Sequence, residues 1–150
     1  LNILKYYIEI MKIKDAEEFT IEYDVDEELL NMKIPKLILQ PLVENSFKHG
    51  IKDTYEPLNI KIEIKKLIHD KIQISVRDNG NGISKEVIDK IYDGYDLKVE
   101  SGFGMKSNIK RLCLYYGISN PRDIIEIDSK INEYTNIIIT LDENNLKDFS

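Results

Sequence analysis

The sequence predicts an α/β two-layer sandwich. Two observations carry that expectation. Four short segments read as strands that fall into two pairs, as β-hairpins do, and the first pair alternates apolar and polar residues around the polar turn His69-Asp70. Segments with helical spacing of apolar residues lie before and between those pairs, so helices and strand pairs are interspersed along the chain. The 150 residues suit one domain with one core, burying roughly two-thirds of the unfolded surface.

The elements follow in order. Leu4, Tyr7, Ile8 and Met11 lie at i, i+3, i+4 and i+7, one apolar face of a helix over residues 1–13. No capping residue precedes Leu1, so residues 1–14 read as the tail of a longer helical segment and the chain as a fragment, or else as a short N-terminal helix in its own right, with one domain over 15–150. In 18–25, Phe19, Ile21, Tyr23 and Val25 alternate with polar neighbours, a half-buried strand. Pro35 suits a first helical turn, and the helix it opens runs to about Lys48, before Gly50. Residues 58–67 and 71–78 form a hairpin around His69-Asp70. A helix over 84–92 starts at Ser84, with Glu86 in its first turn but Val87 where a capping box needs Glu or Gln. Residues 93–104 hold three glycines and no period, so they read as a loop. Residues 105–116 are helical up to Gly117, and 122–129 with 135–141 form the second hairpin.

Composition narrows the function. Acidic residues outnumber basic ones by 27 to 21, a net charge of −6, which argues against a nucleic-acid backbone binder. No apolar run is long enough to span a membrane as a helix. One cysteine, Cys113, excludes an internal disulfide framework; set among Leu112, Leu114 and Tyr115, it reads as core. The acidic stretch Asp24 to Glu28 reads as solvated surface.

The glycines point to chemistry. There are seven, and four form two G-x-G pairs, Gly80/Gly82 and Gly102/Gly104. Such concentration suits backbone brought close to a ligand, or two ordinary tight turns. A strand delivers Asp78 to the first pair, where its carboxylate could accept from an exocyclic amine such as that of adenine; D-N-G is also simply a turn sequence. The second pair runs straight into a helix, an arrangement whose backbone N–H groups favour phosphate, with Lys106 adding positive charge. It is neither a Walker A loop nor a Rossmann fingerprint. On the helix after Pro35, Leu39, Leu42, Val43 and Ser46 form a core stripe, while Asn45, Lys48 and His49 share another face. That face suits a magnesium triphosphate, or is a solvated face with a Glu44–Lys48 pair.

Three elements in this order resemble the ATP-binding catalytic domain of sensor histidine kinases, within the gyrase–Hsp90–histidine kinase–MutL superfamily, and most closely its LytS/YehU-like branch. The helix IPKLILQPLVENSFKHG (Ile34 to Gly50), the box Asp78-Asn79-Gly80-Asn81-Gly82, and Gly102 to Gly117 (GFGMKSNIKRLCLYYG) carry the likeness, which extends over roughly residues 5–142. The resemblance implies the Bergerat sandwich, a mixed and mostly antiparallel sheet with helices on one face. It implies ATP and Mg²⁺ as cofactors. Asn45 would ligate Mg²⁺, with Lys48 and His49 at the phosphate and ribose end. Asp78 would bind the adenine amine, with Gly80, Gly82, Ile83 and Thr135 around the base. Gly102, Phe103, Gly104 and Met105 would form a lid over the triphosphate. Asn45 and Lys48 would be the catalytic pair.

The chain departs from that pattern at Ser107-Asn108, in the lid helix, and at Tyr134, where glycine is common. Ser46, where alanine is common, is expected to matter little. The glutamate that gyrase- and Hsp90-like relatives use to activate water would fall at Pro41, so hydrolysis should be poor. Neither His49 nor His69 resembles the phosphoacceptor, which the family carries in an upstream helical dimerisation segment. The implied activity is γ-phosphoryl transfer to that outside histidine. The implied partners are ATP or ADP, that segment and a response regulator, with no nucleic acid. The full-length protein would be a homodimer anchored in the cell membrane, with this domain in the cytoplasm. Two alternatives are a nucleotide-binding module without phosphotransfer, and an ATPase or serine/threonine kinase of the same superfamily.

Overall fold

A computed structural model describes residues 19–32, 34–50, 56–93 and 105–147. The helix expected over 1–13 and the glycine pair Gly102/Gly104 lie outside these residues. One five-stranded sheet, in the order β1-β2-β3-β5-β4, forms the first layer. β1 (Phe19–Val25) pairs in parallel with β2 (Leu58–Lys66), and the helix α1 (Lys36–Gly50) makes the crossover between them. β3 (Lys71–Asp78) runs antiparallel to β2 and to β5 (Tyr134–Asp142), and β4 (Ile125–Lys130) runs antiparallel to β5. The sheet is therefore mixed and mostly antiparallel.

Alternation along each strand sorts the side chains. Ile60, Ile62 and Ile64 of β2, Ile72, Ile74 and Val76 of β3, and Ile137, Ile139 and Leu141 of β5 are buried on one face. On the other face Lys61, Glu63, Gln73, Arg77, Asn136 and Thr140 are half-buried or exposed. α1 covers the apolar face with Ile38, Leu39, Leu42, Val43 and Phe47, and Phe19 meets Phe47 edge-to-face at 4.7 Å. α2 (Lys85–Asp93) and α3 (Met105–Tyr116) complete the helical layer; Ile109 and Leu112 of α3 pack toward Ile125, Ile137 and Ile139. Cys113 is fully buried in this core.

Local chemistry sets the ends of these elements. His69 and Asp70 both take positive φ in the β2–β3 turn. Ser84 Oγ accepts from Val87 N at 3.3 Å, an N-cap that works without the second half of a capping box. Gly117, at φ +65°, closes α3: Ile118 N reaches Cys113 O at 2.8 Å and Gly117 N reaches Leu114 O at 3.4 Å, the Schellman pattern. The second hairpin begins later than expected. Pro121–Asp123 form a 3₁₀ turn capped by Asn120, whose side chain accepts from Arg122 N, so β4 starts at Ile125 rather than 122. A 3₁₀ turn at Glu27–Leu29 and a short helix α4 (Glu143–Lys147), which seats Leu146 in the core, have no counterpart in the expected order. The acidic stretch from Asp24 to Glu28 is ion-paired rather than merely solvated: Asp24 and Asp26 meet Lys65, and Glu28 meets Lys66.

Candidate functional site

A cavity of about 540 Å³ opens between α1, the turn after β3, α2, the start of α3 and β5. Among the described residues on its wall the charged ones are Lys48, Lys106 and Asp78. The chain as a whole carries −6, so two lysines against one carboxylate make the cavity locally suited to a polyanion.

Asp78 is the last residue of β3, and the strand's alternation turns its carboxylate to the apolar side, where it is buried. Ser46 Oγ donates to Oδ2 at 2.8 Å, and Gly80 N donates to Oδ1 at 3.0 Å. Burial pushes the carboxyl above its ordinary range; the bonds from Ser46, Gly80 and the Thr135 backbone, with the charge of Arg77, pull it back down. The result is a fixed, partly desolvated acceptor. Ser46 therefore matters more than its place on the core stripe suggests: its hydroxyl orients the carboxylate.

The turn after Asp78 is held by the β4–β5 hairpin. Asn132 N donates to Asn81 O at 2.7 Å, and Ile83 N donates to Ser129 Oγ at 2.8 Å. Gly82 adopts φ +68°, and a Cβ there would stand 2.1 Å from Lys130 O. Only glycine fits, for conformation and for space. Ser129 carries no local signal of this role, because Ile83 lies 46 residues away.

Asn45 is buried on the cavity wall, and its Nδ2 has no hydrogen-bond partner. That nitrogen is a donor left for an acceptor on a ligand, while any metal would be held through the carboxamide oxygen. No group of three or more His, Cys, Asp or Glu residues could hold a metal ion among the described residues. An ion held by one carboxamide oxygen, ligand phosphate oxygens and water is the chemistry of Mg²⁺, so the donor set fits that ion. Lys48 is exposed and lines the cavity. No ion pair joins it to Glu44, which instead accepts from Gln40 Nε2 at 2.9 Å.

Of the other expected residues, Gly82, Ile83, Met105 and Thr135 line the cavity, while Gly80 acts one step back through Asp78. Gly102, Phe103, Gly104 and the His49 side chain lie outside the described residues. Lys106, Val87 and Ile91 join the wall. The last two lie at i and i+4 on α2, a spacing that could have revealed them. Tyr134 points away from the cavity: the Arg77 guanidinium stacks 3.8 Å from its ring, and its hydroxyl donates to Asp128. That departure leaves the site intact.

Residues 32–145 match the family of histidine kinase-, DNA gyrase B-, and HSP90-like ATPases. The chain is 38% identical over 88 residues, 59% of its length, to the sensor histidine kinase YpdA of Escherichia coli, covering 15% of that protein. It is 29% identical over 140 residues, 93% of its length, to the sensor histidine kinase YesM of Bacillus subtilis, and 30% identical over 119 residues, 79% of its length, to the sensor protein LytS of Staphylococcus epidermidis. It spans only 22% and 20% of those two proteins. In structure it is similar to the catalytic domain of histidine kinase ThkA, with a TM-score of 0.60 at 18% identity over 93% of this chain and 86% of that one. It is also similar to the histidine kinase domain of the blue-light activated kinase EL346 of Erythrobacter litoralis, with a TM-score of 0.59 at 14% identity over 91% of this chain and 61% of that one. The sheet order, the buried aspartate before a glycine turn and the match over 32–145 agree: the chain belongs to the histidine kinase-, DNA gyrase B-, and HSP90-like ATPase family, as a LytS-like histidine kinase ATPase domain.

Proposed function

We propose that this domain binds ATP with Mg²⁺ and presents the γ-phosphoryl group to a histidine on a segment of the full-length protein outside it. The observation that carries the reading is the buried Asp78 carboxylate, held by Ser46 and Gly80 in a cavity that also holds Lys48, Lys106 and the Asn45 carboxamide, whose Nδ2 is unpartnered. Asp78 accepts from the adenine amine, with Thr135 beside it. Lys48 and Lys106 face the phosphates, and Met105 and Lys106, the first residues of α3, line the same cavity. Asn45 is the protein's ligand to Mg²⁺, which when bound neutralises phosphate charge. By the resemblance alone, His49, Gly102, Phe103 and Gly104 would serve the phosphate side.

In the transfer, an imidazole nitrogen of the acceptor bonds to Pγ, the bond to the β–γ bridging oxygen breaks, and ADP leaves. The domain contributes positioning and charge rather than covalent chemistry. Pro41 stands one turn before Asn45, and Glu44 is bonded to Gln40 and does not line the cavity. Asp78, the one described carboxylate on the cavity wall, is committed to the base, and no other is set to activate water beside Asn45, which favours transfer over hydrolysis. A response regulator would receive the phosphoryl group, and the full-length protein would dimerise through its acceptor segment. The full-length protein would be anchored in the cell membrane; no described helix is long and apolar enough to cross one.

The test is a thermal melt with Mg-ADP and Mg-ATP, beside Asp78→Asn and guanine nucleotides. A ligand at a hundred times its Kd stabilises by about 2.7 kcal/mol, which raises Tm by roughly 5–10 °C in a domain of this size. The expected result is that shift with adenine nucleotides only, lost in Asp78→Asn. Radiolabel from γ-labelled ATP should then appear on the full-length protein's acceptor segment. Free phosphate without labelled protein would mark an ATPase instead.

A further inference from the structure

The Ser129 hydroxyl sits behind the cavity wall at a junction of three contacts. It accepts from Ile83 N at 2.8 Å, donates to Tyr134 O at 2.7 Å, and lies 3.2 Å from Thr135 Oγ1. A serine hydroxyl has one hydrogen and two lone pairs. Its hydrogen lies on Tyr134 O, so the contact with Thr135 runs the other way: Thr135 Oγ1 donates to Ser129. Thr135 has then used its only hydrogen. Its oxygen, on the cavity wall and on the residue paired in register with Asp78, offers lone pairs alone to whatever binds there. Asp78 is also an acceptor when ionised. Ser46, beside them on the wall, has its hydrogen on Asp78, so no hydroxyl at this corner of the cavity is left to donate, and Asp78 and Thr135 both accept.

We propose that Ser129 is a specificity-determining positioning residue: by fixing the Thr135 hydroxyl as an acceptor, it makes the base-binding corner acceptor-only and so selects a purine with a 6-amino group over one with a 6-oxo group. The proposal rests on the nucleotide reading above. A 6-amino group brings two hydrogens to this corner. A 6-oxo group brings a lone pair against two acceptors and leaves only the adjacent ring N–H, one hydrogen displaced from the 6-position, to serve them. Without Ser129 the Thr135 hydroxyl is free to turn and donate, and the corner becomes permissive.

The test measures Kd for Mg-ATP and Mg-ITP by calorimetry with the purified domain. ITP differs from ATP only at the 6-position and the adjacent ring nitrogen, so the ratio of the two reads this corner. Ser129→Ala is expected to narrow the ATP preference about tenfold, the worth of roughly one hydrogen bond. Ser129→Thr, which keeps the hydroxyl, should hold the ratio within about twofold of the parent. A purely structural role, slackening the turn at Ile83, would weaken both nucleotides alike and leave the ratio unmoved; that result overturns the proposal. So does a Ser129→Thr ratio that drifts as far as that of Ser129→Ala. Should Ser129→Ala fail to fold, Thr135→Val takes its place. It is expected to weaken ATP while sparing ITP, and equal effects on both overturn the proposal. A parent domain that binds no ATP defeats the nucleotide reading and this inference together. A parent that binds ATP, with variants of unchanged ratio, defeats the inference alone.

Discussion

Asp78 concentrates the conflict between stability and binding. Its burial raises the folded pKa, so ionising it is harder in the folded state than in the unfolded one. Its contribution to stability is thus fully present below the ordinary aspartate value of 3.8 and is lost as pH rises through the folded value. At pH 7 the nucleotide-free Asp78→Asn domain should therefore melt at or above the parent, an advantage that fades in acid. Ser46→Ala removes a lowering influence, so its Asp78 should protonate at higher pH. Binding of Mg-ADP, followed by calorimetry from pH 8 downward, should fail at higher pH in Ser46→Ala than in the parent, and an unmoved midpoint would sink the assigned role. Losing a hydrogen bond to a charged group should also destabilise the nucleotide-free domain by about 1.5–3 kcal/mol at pH 7. Asp78 was legible in the sequence because a strand ends on it just before a glycine pair. Ser46 was not, because its partner lies 32 residues further on and its local setting is a core stripe.

At the level of elements, the β4–β5 hairpin does two jobs at one sheet edge. Its turn buttresses the glycine loop through Asn132, Lys130 and Ser129. Gly82→Ala would set a methyl against the Lys130 carbonyl in a backbone conformation that itself strains an L residue by about 1–3 kcal/mol. Denaturant unfolding should show a loss of at least that size, together with weaker nucleotide binding. The outer strand is tied to the helical layer by Tyr92 of α2, whose hydroxyl donates to Ile125 O and accepts from Ile127 N, each at 3.0 Å. Tyr92→Phe leaves those two strand groups unpaired, at a cost of about 1–3 kcal/mol readable in the same experiment. Strand alternation and helical spacing made most elements visible in the sequence. What escaped were pieces of three to five residues, Glu27–Leu29, Pro121–Asp123 and Glu143–Lys147, too short for a period to declare itself.

For the molecule as a whole, the sheet separates two chemistries. Its apolar face and the helices build the core and the cavity, while its other face is solvated and carries ion pairs. There Lys65 draws Asp24 below the usual carboxylate range, and the Lys66 backbone N–H does the same for Asp26. These two carboxylates act on stability with the opposite sign to Asp78. Their contribution is present above the ordinary value and is lost as pH falls through the folded one. The layer architecture was readable from element order alone. The cavity's composition was not, because it draws on α1, β3, α2, α3 and β5 together, and only the resemblance joined those distant segments in advance.

That dispersal has a consequence for how the domain comes into being. Asp78 lies near the middle of the chain, while Thr135 and Ile137, which complete the cavity around it, lie on the last strand, and β3 has no second neighbour until that strand arrives. A ribosome must therefore deliver nearly the entire domain before the central strand is flanked on both sides, and the nascent chain cannot hold nucleotide until β5 has emerged and docked. Nucleotide capture thus becomes a report that the last strand has been made and has docked.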